Sequence, residues 1–185
     1  VPIILFTLTT DLDDPRKGWD LLEEALLHLR NHSEDEAQEF EIAVIGHSEP
    51  PADWDSRLPR THWLGRISDE SEMALAYNIA DIAVIPSRQD NLPQTATEAH
   101  ACGIPLVAFR IGGMPDIVDE GKTGYLVEAF DTAALAERLS RLLTHAPQRK
   151  SFGVAARERA IQLWSAPRVA TRHEELFAEI AAAVH

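Results

Sequence analysis

The chain has 185 residues, 45% of them hydrophobic, which fits one domain or a little more with a sizeable core. Thirty acidic against 17 basic residues give a formal net charge of −13, which argues against a nucleic-acid surface and against simple electrostatic docking on an anionic membrane. A negatively charged ligand stays open, because local N–H groups and a few cations decide that.

The apolar opening Val1–Leu8 runs straight into Asp11, Asp13 and Asp14, so Ile3–Leu8 reads as a buried strand and not as a signal peptide. A chain that starts on a strand without methionine is expected to be a piece of a larger protein. Arg16–Asn31 predicts a helix, with Trp19, Leu22, Leu26 and Leu29 at helical spacing. Phe40–Ile45 predicts a second strand ending at Gly46. A loop with Pro50, Pro51 and Pro59 leads to a short strand around Trp63–Leu64. Ser68 or Asp69 can cap the next helix, which runs to about Ala80.

Ile82–Ile85 is then a strand, Pro93–Cys102 a helix and Leu106–Phe109 a strand. Cys102, the lone cysteine, permits no internal disulfide and reads as small-residue packing before Gly103. A Gly112-Gly113 loop precedes a short helix near Pro115–Val118, and Gly124–Val127 is a last strand. Three helices follow: one capped by Asp131 and ending near Leu143, one from Pro147 to about Leu163, and one capped by Ser165 and running towards Ala183. No apolar run approaches membrane-spanning length.

Strands without polar alternation, each followed by a helix, predict an α/β fold. It is a doubly wound parallel sheet of about six strands, with a helical C-terminal tail. Ligands of such sheets sit beyond the carboxyl ends of the strands. The residues there are Thr9–Lys17, Gly46–Glu49, Arg66, Ser87–Gln94 and Arg110–Gly113.

Asp90 and Glu98 stand out in that set. A helix starting near Leu92–Pro93 has unpaired N–H groups at Gln94 and Thr95 and a partial positive charge at that end, so it can take a diphosphate without a glycine-rich loop. Pro93 suits the first turn, where its missing N–H costs little. Asp90 can accept from sugar hydroxyls, and Glu98, just over one turn in, can reach a ribose diol with both oxygens. The same spacing also fits a helix capped by Asp90 or Asn91 with a merely solvated Glu98. Lys17 opens a helix, an odd place for a cation serving the helix alone, and a phosphate partner would explain it. Asp11-Leu12-Asp13 matches a D-x-D metal pattern, but three letters are weak support and no metal is expected. The eight histidines show no paired ligand spacing, and His100 reads as packing.

At these residues the chain resembles the nucleotide-sugar-binding half of GT-B glycosyltransferases, the retaining group 1 enzymes of family 4. The family's E-x7-E motif reads Asp90 to Glu98 here, followed by EAHACGIPLVAF. Its GG-x-P-E element reads Gly112-Gly113-Met114-Pro115-Asp116. Its K-G helix start reads Lys17-Gly18, its F-L-G strand end Trp63-Leu64-Gly65, and its A-D…P-S strand runs from Ala80-Asp81 to Pro86-Ser87. The tail LWSAPRVATRHEELF resembles the closing helix of the family.

The resemblance implies a Rossmann-like donor domain over 1–185, with an N-terminal acceptor domain of similar size absent. Its donor is a nucleoside-diphosphate sugar, a UDP-sugar ahead of a GDP-sugar, and no cofactor is implied. Asp90 then contacts the sugar and, with Lys17, makes up the catalytic set. Glu98 holds the ribose, Gln94 and Thr95 give backbone donors to the diphosphate, with which Lys17 pairs, and Asn91, Leu92 and Pro93 complete the donor-binding set. Arg66 and Ile67 lie where the base packs. Two departures are visible: the first acid is Asp, one methylene short, and a usual arginine is replaced by Asp11 unless Arg16 or Arg88 substitutes. The acceptor is expected to be a glycan or a lipid-linked molecule held by the absent half, in the cytoplasm or peripherally at the inner membrane face. The fragment alone is expected to transfer nothing. A GT-B-like epimerase or phosphorylase half, or a non-catalytic sugar-nucleotide module, is the alternative.

Overall fold

The computed structural model describes residues 1–8, 14–31, 39–47, 49–51 and 58–183. Asp11 and Asp13, singled out in the sequence, lie outside them. The elements in chain order are β1 (Ile3–Thr7), a 3-10 turn (Pro15–Lys17), α1 (Trp19–Asn31), β2 (Glu41–Ile45), β3 (Thr61–Trp63), α2 (Glu70–Asn78) and β4 (Ile82–Ile85). Then follow α3 (Gln94–Ala101), β5 (Leu106–Phe109), α4 (Met114–Ile117), β6 (Gly124–Val127), α5 (Thr132–Thr144), α6 (Ala146–Trp164) and α7 (Ala166–Ala183).

The described strands form one six-stranded sheet in the order β3-β2-β1-β4-β5-β6, every pairing parallel. Successive strand residues face opposite sides, and both sides are covered. On one face Ile4, Phe6, Val44, Val84 and Phe109 pack with Leu22, Leu26, Leu135 and Leu139 of α1 and α5. On the other, Leu5, Ile45, Ile85 and Ala108 pack with Tyr77, Ala96, Ala99 and Met114 of α2, α3 and α4. Burying each such Leu, Ile or Phe contributes about 1.5–3 kcal/mol, so both faces are needed to offset the chain entropy of ordering.

The expected helix from Arg16 is split. Gly18 takes the left-handed conformation at φ 69°, which ends the 3-10 turn and lets α1 start afresh at Trp19. Of the two possible caps for α2 it is Asp69 that serves, accepting from the Ser71 and Glu72 amides at 2.9 and 3.0 Å. The short third strand lies at Thr61–Trp63, slightly ahead of its expected place, because its register is set by Ile42 against Thr61. Asp81, at the foot of β4, ties the fold together: one carboxylate oxygen accepts from the Ile3 amide at 2.9 Å and the other from Arg149 of α6 at 3.2 Å. Helix α7 buries none of its described residues, and Val169, Leu176, Phe177 and Ile180 face outward.

Candidate functional site

The strand order reverses direction at β1, which has β2 on one side and β4 on the other. This is the switch point at which loops from the carboxyl ends diverge and leave a crevice. Two loops meet over it: the one after β1, carrying Lys17, and the one after β4, carrying Asp90. A Cβ on Gly18 would overlap the Pro86 carbonyl, so only glycine lets the two backbones come this close. The Arg88 amide donates to the Arg16 carbonyl at 2.7 Å, pinning one loop to the other.

That docking brings Lys17 to Asp90. Nζ donates to Oδ2 at 3.0 Å, with side chains 21% and 18% exposed. The Asp90 loop is held from its far side by the loop after β5. The Gly113 amide donates to the Asn91 carbonyl at 2.6 Å, and a Cβ on Gly112 would overlap the Asp90 carbonyl oxygen. The glycine pair noted in the sequence thus sets the height of the Asp90 backbone.

Helix α3 begins immediately after. Pro93 is its N-cap residue, buried, and makes no side-chain capping bond. Neither Asp90 nor Asn91 caps the helix; the side-chain partner of Asp90 is Lys17. The first-turn N–H groups of Gln94 and Thr95 carry the positive end of the helix. Gln94 is exposed and Thr95 partly so; Asn91 and Leu92 are exposed at the rim. Thr95, Lys17, Thr7, Tyr77 and Ser87 line a narrow cleft at the carboxyl ends of β1 and β4.

Glu98 is exposed on α3, but it is not a free helix residue. The Tyr77 hydroxyl donates to its Oε2 at 2.8 Å from a side chain that is 2% exposed. Burial and the Glu98 carboxylate push the Tyr77 phenol well above its usual value, against a smaller opposing pull from the Thr7 side chain. Tyr77 therefore stays protonated and donating at any physiological pH. Sequence reasoning passed over it. The available signal was a lone tyrosine in α2, a helix that otherwise buries only Ala76.

Arg16 and Arg88, the two candidates to substitute for the missing arginine, are each engaged by a carboxylate. Arg16 pairs with Asp14 at 2.7 Å. Arg88 makes two bonds to Asp20, at 2.7 and 2.6 Å, and holds that carboxylate below its usual range. Arg66 is exposed and Ile67 partly buried, both beyond β3, two strands away from β1 and outside the Lys17–Asp90 cluster. The loops after β2 and β3 bind each other there, Gly46 to Gly65 at 2.7 Å and Gly65 to His47 at 3.0 Å. His100 is fully buried beside Trp164, ring centroids 6.3 Å apart, so it packs as expected. No group of three metal-ligating side chains occurs among the described residues.

The arrangement at the carboxyl ends of the strands is a line of groups: a carboxylate and ammonium pair, then the uncapped N–H groups of the α3 N-terminus, then a second carboxylate just over one turn further. It can grip an elongated ligand with an anionic centre and hydroxyls at both sides.

A family model described as glycosyl transferases group 1 matches residues 2–145. A D-inositol 3-phosphate glycosyltransferase of Corynebacterium diphtheriae is 41% identical over 96 residues, which cover 51% of this chain and 22% of that protein. Among solved structures, the sucrose-phosphate synthase of Thermosynechococcus elongatus is 28% identical with a TM-score of 0.76, covering 98% of this chain and 46% of that one. Anabaena HepE, solved with UDP-glucose, shares the fold at 18% identity and a TM-score of 0.73, covering 96% of this chain and 48% of that one. The chain thus spans under a quarter of that curated relative and about half of these solved chains. The six-stranded sheet with its helical tail is the Rossmann-like half of a GT-B fold.

Proposed function

The chain belongs to the group 1 glycosyltransferases, and from that premise we propose that residues 1–185 form the donor domain of a retaining hexosyltransferase that uses a UDP-sugar. The observation that carries this reading is the line of groups at the start of α3: Asp90 held by Lys17, the uncapped Gln94 and Thr95 amides, then Glu98. In the proposal the diphosphate lies on the helix N-terminus against Lys17, the hexose meets Asp90, the ribose meets Glu98, and the base rests towards Arg66 and Ile67. Anabaena HepE, solved with UDP-glucose on the same fold, supports uridine over guanosine.

The chemistry asked of this half is electrostatic. As the glycosidic bond breaks, charge gathers on the departing diphosphate, and Lys17 with the helix amides stabilises it in place. Front-face transfer with retention needs no separate base from this half. The acceptor, a glycan or lipid-linked molecule, is held by a second α/β half outside this chain, and the fragment alone transfers nothing. No helix among the described residues is long and apolar enough to cross a membrane; a cytoplasmic site of action is part of the proposal.

Calorimetry with UDP, GDP and their hexoses tests the reading. Binding of UDP and UDP-hexose in preference to the guanosine ligands is expected, and no binding at millimolar ligand would sink it. The anomeric configuration of the product, read by NMR on the full-length enzyme, tests retention.

A further inference from the structure

We propose that Tyr77 is a positioning residue for the donor nucleotide: its buried hydroxyl fixes the Glu98 carboxylate so that both of the oxygens' outward lone pairs meet the ribose diol. This rests on the ribose role given to Glu98 above.

Glu98 lies on the exposed side of α3, and its three side-chain torsions would otherwise leave the carboxylate wandering. A bidentate grip on two vicinal hydroxyls needs one carboxylate plane, not many. The Tyr77 hydroxyl supplies a single charge-assisted bond, 2.8 Å to Oε2, from below. It comes from a different element, α2, whose packing into the core under β4 leaves the ring 2% exposed and without freedom to follow the carboxylate. A phenol offers one proton and no more. It anchors one oxygen, leaves Oε1 without a hydrogen bond among the described residues, and leaves Oε2 a further lone pair. An ammonium or guanidinium there would neutralise the carboxylate and compete for the diphosphate; the phenol does neither.

Tyr77 also lines the cleft shared by Thr7, Lys17 and Thr95, so one side chain borders the proposed diphosphate groups and bonds the proposed ribose carboxylate. The opposite reading is that Glu98 merely satisfies a buried hydroxyl that needs a partner. The two readings differ in their ligand dependence, because a structural role weakens all ligands alike and a positioning role weakens only ligands with a ribose diol.

Calorimetry with Tyr77→Phe, Glu98→Ala and the double variant, each titrated with UDP and with 2′,3′-dideoxy-UDP, separates them. Tyr77→Phe is expected to weaken UDP about tenfold, the size of one bond to a charged group, to leave dideoxy-UDP unchanged, and to add nothing in the Glu98→Ala background. Equal weakening of both ligands by Tyr77→Phe would overturn the proposal and leave the hydroxyl structural. Unchanged UDP binding in Tyr77→Phe, with Glu98→Ala impaired, would overturn the proposal alone. Unchanged UDP binding in Glu98→Ala would overturn it together with the ribose role on which it rests.

Discussion

Lys17 and Asp90 lie 73 positions apart in the chain and 3.0 Å apart in space. The sheet order explains the meeting: β1 and β4 are neighbours, in register from Ile4 against Ile82, and each delivers its loop to the same edge. The pair is mostly withdrawn from water, so each charge depends on the other, and removing one leaves the other uncompensated. An ammonium has three donors, so Lys17 can keep Asp90 while it also bonds an arriving phosphate.

This pairing separates the two residues in their effects. Lys17→Met should weaken UDP about 10- to 100-fold, the worth of a hydrogen bond to a charged group. Asp90→Asn should leave UDP binding intact, since it frees the ammonium, yet abolish any preference for UDP-hexose over UDP. Calorimetry with both ligands reads this directly. A Lys17→Met protein that binds UDP like the parent would remove the phosphate role.

The two acids should differ in the same way. Glu98→Ala is expected to weaken the bare nucleotide more than Asp90→Ala does, because the proposed donor pose gives the ribose to Glu98 alone. Asp90→Ala should instead fall hardest on the sugar. Affinities for UDP and UDP-hexose measured on both variants give a crossed pattern if this is right, and equal losses on both ligands if it is not.

Much of this was legible in the sequence, and what was not has a common cause. The unbroken apolar runs Ile82–Ile85 and Leu106–Phe109 specify buried parallel strands, and they fall at those residues. The start of α3 was legible because Pro93 and the apolar positions after it are local signals. Gly18 splitting the Arg16 helix was not, since its φ answers to Pro86, 68 positions away. Tyr77 and Glu98, 21 apart, meet only because α2 and α3 lie on the same face of the sheet. Asp20 binding Arg88 likewise depends on the β1–β4 neighbourhood. Pairings between side chains of different elements carry no periodicity, so they become visible only once the topology is known.

Gly112 should be the most sensitive backbone position outside the ligand groups. It sits at φ 47°, and a Cβ there would overlap the Asp90 carbonyl. Gly112→Ala is therefore expected to cost about 2 kcal/mol, roughly 4–8 °C in melting temperature, and to displace Asp90. Gly121 is the control: it also has positive φ, 75°, but a Cβ there meets nothing within 4 Å. Gly121→Ala should show strain with donor affinity unchanged. Thermal melts and UDP-hexose titrations of the two variants check it, and equal donor affinity in both would show that the glycine pair does not set the Asp90 loop.

His100 should make the fold acid-sensitive. Its ring is 0% exposed, and neither nitrogen makes a well-aligned hydrogen bond among the described residues, the Thr123 backbone being its nearest polar neighbour by effect. Burial lowers its pKa from 6.5 to about 4, with Arg159 adding to the depression and the Thr123 backbone opposing it. Between those two values the unfolded chain binds a proton that the folded chain refuses. The stabilisation is thus full above pH 6.5 and shrinks as pH falls towards 4. By pH 5 the loss amounts to about 2 kcal/mol. His100→Leu cannot titrate and leaves no orphan nitrogen, so it should remove this part of the pH dependence without costing stability at pH 7. Urea midpoints at pH 7 and pH 5 for both proteins measure the difference. Identical losses in parent and variant would place the acid sensitivity elsewhere, among the carboxylates that outnumber the cations of this chain.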